Sequence, residues 1–452
     1  AVSIGLKGDL KLLPRIPDNF ISNPEECMRL KRISVFTVAS LASMTAAAAS
    51  TLPIDFHGYL RSGTGAANEG GKQACFQLQG AASKYRLGNE CETWLEVELG
   101  AEVAKIDHTT FAVHTMLSYN APQNTGQENN VDSLQQAWGE AKNLGDGIWA
   151  TASAWAGKRY YKRQGPHLND YRYLSDEGQG GGIENIGIGP GKLSYAYIRQ
   201  IDPANALISQ TNHDLRYEGL PVNPNGNLDF ALIYGAKNNA DNVATGNKNG
   251  LLLHVQHNQN KIFGNEGYNK LVFQYGDKNI DLSYGSTPGT YDGKQWRVID
   301  NFFIDISHNL QAEGVLSYTD RDSSSTSKNA GTPDGGKWIS AGIRPVYSFT
   351  KIFSLAAEVG FDQIDPEMNG AKTTRLTKFT IAPQISAGTG YWARPTIRAF
   401  ATYATWNEKG TVATNGFDKN GKPNVDLRYY NAAKDEGKTS GWSYGVQTEA
   451  WW

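Results

Sequence analysis

The chain has 452 residues, among them 49 glycines, 11 tryptophans and 22 tyrosines, and its formal net charge is −2. A near-neutral charge argues against a nucleic-acid-binding domain, which would carry a basic stripe. A soluble chain of this length would usually divide into about two or three domains with helical periodicity. The pattern of apolar residues described below indicates one long β-domain instead.

The first part of the chain indicates export. Met28–Arg32 contains three basic residues, Ile33–Ala42 is mostly apolar, and Ala47–Ala49 supplies small residues just before Ser50. This order is typical of a secretory signal peptide followed by its cleavage site. Residues 1–27 precede the first methionine and show no periodicity, so we expect them to form no part of the fold.

The cysteines fit an exported protein. Cys27 lies upstream of the cleavage site, which leaves Cys75 and Cys91 as a pair in the mature chain. Because an oxidising compartment preserves disulfides, we expect these two cysteines to be bonded to each other.

Several segments beyond the signal peptide alternate between apolar and polar residues. Thr93–Leu99 and Phe353–Phe361 carry most of their apolar residues at odd positions, Trp442–Trp452 carries them at even positions, and Leu271–Tyr275 is a weaker example. Alternation with a period of two predicts strands that have one apolar and one polar face. No stretch of about 18 apolar residues follows the signal peptide, so membrane-spanning helices are ruled out.

Three features favour a transmembrane barrel over a soluble sandwich. The apolar faces often begin or end in aromatic residues, as a membrane interface requires. The chain ends on Trp452, and long polar stretches such as Ala121–Val131 and Asp320–Gly336 separate the strands. Residues 50–452 suffice for roughly 16 to 18 strands of about 10 residues with their connections. A closed barrel leaves no unpaired backbone in lipid.

From Ile54 onward the sequence resembles the maltoporin family. Phe56–Gly63 is similar to the family's first strand, and Cys75–Gln77 with Ser83–Thr93 is similar to its disulfide-closed first loop and second strand. Further matches follow in chain order at Trp155–Arg159, Gly181–Ile186, Gly342–Pro345, Arg394–Trp406 and Trp451–Trp452.

The resemblance implies an all-β protein, a transmembrane antiparallel β-barrel of about 18 strands with long extracellular loops. It also implies a homotrimer in the outer membrane of a Gram-negative cell, surrounded by lipid, that passes sugars by stereoselective diffusion. We expect no enzyme activity, no cofactor, no metal site and no nucleic-acid partner. The predicted organisation is a non-native upstream extension at 1–27, a signal peptide at 28–49 and a sugar-porin barrel at 50–452.

The positions of the aromatic residues within the strands predict which of them line the lumen. Tyr59 alternates with His57 and Arg61 on a polar face, and Trp94 lies with Glu96. A permease without an energy source needs weak sites, on the order of −4 kcal/mol for a millimolar dissociation constant. Five aromatic residues fall on polar faces and match the aromatic slide of the family: Tyr59, Trp94, Tyr268, Trp392 and Trp451.

The resemblance also identifies a charged lining. The matching residues, which are expected to form hydrogen bonds with sugar hydroxyls, are Arg61, Arg86, Glu96, Arg163 and Asp170. Three positions depart from the family pattern, since Gln135 replaces a lining Arg, Gly165 an Asp, and Arg172 the constricting Tyr of maltodextrin-selective members. Residues 120–130 also lack the Trp that a neighbouring subunit contributes. The preferred sugar therefore stays open between maltose or maltodextrins, sucrose and another oligosaccharide.

The sequence also bears on functions other than a sugar porin. A barrel enzyme would need a nucleophile and a base, and Gly441–Gly445 does match Gly-x-Ser-x-Gly, with His57 and His167 as candidate bases. That match lies inside an alternating strand and lacks the strand-turn-helix context of a nucleophile elbow. A general pore, a phage receptor acting through the long loops and contact with a periplasmic binding protein are compatible with a barrel.

Overall fold

The computed structural model describes residues 53–68, 72–123, 133–240, 243, 246–409, 411–413 and 438–452. The predicted upstream extension and signal peptide lie outside the described residues, as does most of the predicted loop at 121–131. Among the residues it describes, no helix is both long and apolar enough to cross a membrane.

Eighteen strands form one antiparallel sheet that closes on itself. Each strand pairs with its neighbours along the chain, and β1 also pairs with the last strand, so the sheet has no free edge. The barrel strands are β1 (Ile54–Ala67), β3 (Glu92–Ile106), β4 (Thr109–Pro122), β5 (Ser133–Lys142), β6 (Ser153–Gln164), β7 (Leu174–Ile188), β8 (Gly191–Ile201), β9 (Ser209–Asn223), β10 (Gly226–Lys237), β11 (Gly250–Ile262), β12 (Asn265–Lys278), β13 (Lys294–Ser307), β14 (Leu310–Arg321), β15 (Gly336–Ser348), β16 (Phe353–Pro366), β17 (Thr374–Ser386), β18 (Thr396–Trp406) and β20 (Ser440–Trp451).

The closure between the first and last strands confirms the predicted barrel. Tyr59 lies opposite Trp451 and Arg61 lies opposite Glu449 in the β1–β20 register. Beyond β20, the backbone groups of Gly58 and Trp452 exchange hydrogen bonds of 3.2 and 3.3 Å. Closure satisfies the backbone groups that lipid cannot, which is why a sheet can span a bilayer only when it is closed.

The predicted alternation separates an outer surface from a filled interior. In β16, Phe353 and Val359 are exposed whereas Glu358 is buried, and in β12, Phe273 is exposed whereas Gln274 is buried. The exposed side chains are apolar because they face lipid, and the buried polar ones face the lumen. The apolar and polar faces inferred from the sequence therefore correspond to the outside and the inside of the barrel.

The two ends of the barrel differ in the length of their connections. At one end most turns have two residues, as at 107–108, 224–225 and 263–264. At the other end the connections are longer, as at 68–91 and 322–335, and the latter contains a short helix, α1 (Ser325–Asn329). Short turns face the periplasm in outer-membrane barrels, so the long loops are extracellular.

Two extracellular loops pack into the barrel, which we call the first loop (68–91) and the inward loop (165–173). The predicted disulfide between Cys75 and Cys91 is present and closes the described part of the first loop. Two short strands, β2 (Gln77–Leu78) of that loop and β19 (Val412–Ala413), pair with each other.

The inward loop is held by hydrogen bonds from the opposite wall. Arg344 Nη2 donates to the Leu168 carbonyl at 3.2 Å, and Gln274 Nε2 and Arg297 Nη2 donate to the Tyr173 carbonyl at 2.8 and 2.9 Å. Because Leu168 and Tyr173 are also buried, the loop is fixed within the lumen and narrows it.

Candidate functional site

A cavity of about 320 Å³ lies where the first loop and the inward loop approach β1, β3 and β20. We call it the central cavity. The cavity brings together eight of the predicted site residues and adds His167, which was not among them. Its lining consists of Tyr59, Arg61, Arg86, Trp94, Glu96, His167, Asp170, Arg172 and Trp451.

Three rings beside the central cavity, those of His167, Trp392 and Trp451, contact one another. The His167 imidazole packs edge-on against Trp451 and Trp392, with ring centroids 5.4 and 5.5 Å apart, and the two tryptophan rings are 6.3 Å apart. The Arg394 guanidinium covers Trp451 at 4.0 Å from its centroid. One face of Trp451 is therefore supported by protein, and the ring is held in a fixed orientation.

The Glu449 carboxylate is the centre of a buried hydrogen-bond network beside these rings. It accepts hydrogen bonds from Tyr59 Oη at 3.0 Å and from Arg394 Nη2 and Arg398 Nη2, each at 2.8 Å. His167 Nε2 lies 3.3 Å from the same carboxylate. One side chain thus links Tyr59 of β1, the inward loop and the strand that carries Trp451.

Two of the three arginines predicted to bind sugar, Arg61 and Arg86, are mostly buried and form ion pairs with carboxylates. Arg61 pairs with Glu90 at 2.9 Å and contacts Glu92, and Arg86 pairs with Glu90 at 2.8 Å. Arg61 is 9 % exposed and Arg86 is 6 % exposed. Burial opposes ionisation of Glu90, but the two guanidiniums lower its pKa below the ordinary value. The arginines therefore remain ion-paired while they line the cavity.

Asp170 and Arg172 of the inward loop are more accessible. The Asp170 side chain is 42 % exposed, and its carboxylate lies 3.8 Å from Arg172 Nη2 and 4.0 Å from Arg61 Nη1. Both residues lie in a loop, so the anchored inward loop, and not alternation along a strand, places them in the lumen.

Gln135 and Arg163 lie outside the lining of the central cavity, on β5 and β6. Tyr160 connects them, because its hydroxyl donates to Gln135 Oε1 at 2.8 Å and its ring lies 3.6 Å below the Arg163 guanidinium. Arg163 also pairs with Glu177 at 2.9 Å. These residues form a second polar layer on the neighbouring wall.

Tyr268 and Trp392 line a second cavity of about 560 Å³, which we call the exit cavity. Tyr268 lies on the inner face of β12, as its parity predicts. Trp392 belongs to the 387–395 connection and not to a strand, so the alternation argument used for it was wrong in its premise. Its ring reaches the lumen because that connection turns inward against Phe303, at a centroid distance of 5.5 Å. The lining consists of Gln164, Asn227, Asp229, Gln256, Asn258, Asn260, Tyr268, Lys270 and Trp392.

Sequence reasoning missed Glu449 and Arg394 as site residues and considered His167 only as a catalytic base. Glu449 shares a face with Trp451 in the alternating terminal strand, so parity could have identified it. His167 and Arg394 lie in connections, where the sequence carries no such signal. Burial lowers the pKa of His167, with Arg86 and Arg344 acting in the same direction and Glu449 opposing them.

The serine of the Gly-x-Ser-x-Gly match is not accessible, as the nucleophile of an enzyme would have to be. Ser443 of the Gly-x-Ser-x-Gly match lies within β20 and is fully buried, as a strand residue facing the interior. The geometry of a nucleophile elbow therefore does not occur at this match.

Comparison with known proteins gives the family. The sequence profile described as LamB porin matches residues 54–452. Similar solved structures include OccAB2 of Acinetobacter baumannii, at 10% identity and a TM-score of 0.47 over 88% of this chain and 98% of that chain. Another is Pseudomonas aeruginosa OpdK with vanillate, at 8% identity and a TM-score of 0.46 over 88% of this chain and 99% of that chain.

The family match and the closed barrel agree with each other. A channel rather than an enzyme is indicated by both, and the lipid-facing outer surface requires a membrane. The chain belongs to the LamB porin family and is an outer-membrane porin.

Proposed function

We propose that this porin passes sugars by facilitated diffusion through the central and exit cavities. The observation that carries the proposal is the fixed set of rings in the lumen, with Tyr59, Trp94 and Trp451 lining one cavity and Tyr268 and Trp392 the next. The apolar face of a pyranose stacks on such rings while its hydroxyls exchange hydrogen bonds with polar neighbours.

The ion pairs around the rings support passage instead of tight binding. Arg61 and Arg86 are already paired with Glu90, so a sugar hydroxyl gains only the difference between two hydrogen-bonded states. A site of this kind holds a sugar weakly, on the order of −4 kcal/mol, which allows it to leave towards the next ring.

The inward loop supports a second proposal, which concerns the identity of the preferred sugar. Arg172 stands where maltodextrin-selective members of the family carry a constricting Tyr, and it lies 3.8 Å from Asp170 in the lining of the central cavity. An ion pair in place of a ring offers hydrogen bonds and no stacking face. We propose that the preferred sugar is sucrose or another oligosaccharide with a shape unlike that of maltodextrins.

The proposed assembly is the homotrimer of the family. The resemblance to maltoporins supports it.

Liposome swelling with maltose, sucrose and trehalose tests the proposal. These disaccharides have the same mass, so a pore that sieves by size alone would pass them at one rate. We expect different rates, and we expect Trp94→Ala to reduce the difference while the lipid-facing Trp442→Ala leaves it unchanged. Equal rates in the unaltered protein would show a general pore.

A further inference from the structure

We propose that the exit cavity binds an anionic group carried by a pyranose, a carboxylate or a phosphate, through Lys270 and Asn227. The inference rests on the proposed function, because the sugar ring would stack on Tyr268 or Trp392 of the same cavity. It goes beyond that function by assigning an acidic sugar to a wall of polar residues outside the central cavity.

The exit cavity has the size and position of a separate site. Its volume of about 560 Å³ lies within the range of about 300–1,000 Å³ that is common for small-molecule pockets. Its polar wall lies on β10, β11 and β12, close to the two-residue turns at 224–225 and 263–264. The cavity is therefore at the periplasmic end of the lumen.

A chain of hydrogen bonds fixes the direction of the amides in this wall. Asn258 Nδ2 donates to Asp229 Oδ2 at 2.6 Å, and Asn258 Oδ1 accepts from Gln256 Nε2 at 2.6 Å. Gln256 Oε1 in turn accepts from the Tyr173 hydroxyl at 2.9 Å. An ionised carboxylate only accepts hydrogen bonds, so Asp229 sets the orientation of the whole chain.

That orientation leaves Asn227 with a free donor. Asn258 Nδ2 also donates to Asn227 Oδ1 at 2.9 Å, so the oxygen of Asn227 is engaged and its NH₂ group is the remaining polar group. Within the described residues this NH₂ group has no hydrogen-bond partner.

Lys270 is a second free donor in the same lining. Its Nζ lies 5.5 Å from the centroid of the Tyr268 ring, and in the part of the chain that the structure describes it makes neither a hydrogen bond nor an ion pair. The only carboxylate in the lining is Asp229, whose oxygens already accept from Asn258 Nδ2 and from the Gly219 amide at 2.7 Å. Asp229 and Glu313 attract the Lys270 charge, but within the described residues neither forms a hydrogen bond or an ion pair with it. Lys270 and Asn227 therefore present donors to the cavity that have no hydrogen-bonded protein acceptor.

Donors of this kind suit an anionic acceptor on the ligand. Hydrogen bonds to a carboxylate or phosphate are about twice as strong as those to a neutral hydroxyl. In the central cavity the corresponding cations, Arg61 and Arg86, are already paired with Glu90. Among the lining residues of the two cavities, Lys270 is thus the cation without an ion-pair partner, and it lies beside the rings of the exit cavity.

Block of the ion current through the reconstituted porin tests the inference with a matched set of disaccharides. Cellobiose, cellobiouronate and cellobiose 6-phosphate are added on the periplasmic side at about 0.1 M salt, where exposed charges are only partly screened. We expect at least one acidic form to bind about tenfold more tightly than cellobiose, and the form that does so identifies the anionic group. Equal affinity for all three would overturn the inference.

Two variants and one control separate the site from general electrostatics. Lys270→Met and Asn227→Asp, which keep the size of each side chain, are expected to bring the acidic form to the affinity of cellobiose or below. Lys351→Met, at an exposed position of the 349–352 turn at the same end, is expected to leave the difference unchanged. An acidic preference that survives Lys270→Met refutes the site.

The outcomes also distinguish this inference from the proposed function. Block by neutral sugars with no acidic preference supports the sugar porin and refutes the exit site. Block by an acidic sugar alone, abolished by Lys270→Met, supports the exit site and refutes passage of neutral sugars. An absence of block by any of them refutes both.

Discussion

The central cavity and the exit cavity use their polar side chains in opposite ways. In the central cavity, Arg61, Arg86 and Glu449 are buried and engaged with protein partners. In the exit cavity, the Lys270 ammonium lies near the Tyr268 ring and makes no ion pair among the described residues, and Asn227 is engaged through its oxygen and not through its NH₂ group. The charges beside the central cavity therefore mainly hold the rings in place, whereas the donors near the periplasm are available to bind a solute.

This difference has an energetic consequence. A buried charge that loses its partner is costly, because the charge that is left stays desolvated. A lumen-facing side chain without a partner contributes little to folding, and its removal changes binding alone. Substitutions of the buried charges beside the central cavity should therefore affect stability and sugar binding together, and substitutions of Lys270 in the exit cavity should affect only binding.

The largest effect is expected for Glu449→Gln. The substitution removes the negative charge shared by Arg394 and Arg398 and weakens the support of Tyr59, so we expect a loss of about 3–5 kcal/mol in stability, as for other broken buried pairs. Sugar block should be lost as well. Thermal unfolding in detergent and current block measure the two effects.

Glu408→Gln is the matched control, since its carboxylate pairs with the exposed Lys372 at the surface. Surface pairs contribute about 0–1 kcal/mol, so neither unfolding nor sugar block should change measurably. Similar effects for the two variants would show that Glu449 is not a central support.

Loss of the disulfide is expected to have the second largest effect. Cys75 and Cys91 are 16 residues apart, and a loop of this length is worth about 3 kcal/mol in the chain-entropy account. Cys75→Ser with Cys91→Ser should loosen the first loop, which carries Arg86 and Glu90, and thereby raise open-channel noise. Unchanged noise and stability would mean that packing alone holds the first loop.

Removal of one ring is expected to have a smaller effect, confined to binding. Trp94→Ala deletes a stacking surface of the central cavity, and an aromatic contact of this kind contributes about 1 kcal/mol, equivalent to about a fivefold weaker block constant. Trp442→Ala, on the lipid face of β20, should leave the block constant unchanged. A block constant that is insensitive to Trp94 would place the sugar elsewhere.

The smallest effect concerns pH. Burial lowers the pKa of His167 below its ordinary 6.5, so the neutral imidazole packs against Trp392 and Trp451 at pH 7. The packing is complete above pH 6.5 and weakens as the pH falls below that value, because protonation then favours the unpacked ring. We expect sugar block to be constant from about pH 8 to 6.5 and to decline in more acidic solution.

We attribute the decline of sugar block below pH 6.5 to His167, because the nearby loop carboxyls stay ionised there. Desolvation within the narrowed lumen opposes ionisation of Asp170 and Glu90, but neighbouring arginines lower the pKa of both below the ordinary values. His167→Gln should therefore remove the decline. A decline that persists in this variant would point to another titrating group.

The strands and their faces were predictable because alternation is a local property. The positions of Tyr59 and Trp451 on the inner face follow from parity alone, and closure of the barrel brings them opposite each other. Where the ladder is regular, as in β16, the sequence also predicts which residues meet lipid. The number of strands came from the length of the chain and from the resemblance.

The details of the site were not predictable in the same way. His167 and Trp392 lie in connections whose paths depend on distant anchors such as Glu313 and Phe303. The pairing of Arg61 and Arg86 with Glu90 depends on the folding of the first loop into the barrel. Such contacts join residues far apart in sequence, and no period in the chain encodes them.

A titration of the single-channel current with maltodextrins and sucrose is the most direct test of passage through the ring-lined cavities. The account predicts a current that falls to a saturated level, with a dissociation constant on the order of millimolar, and a weaker constant for Trp94→Ala. A current that stays unchanged at saturating concentrations of every sugar would contradict it.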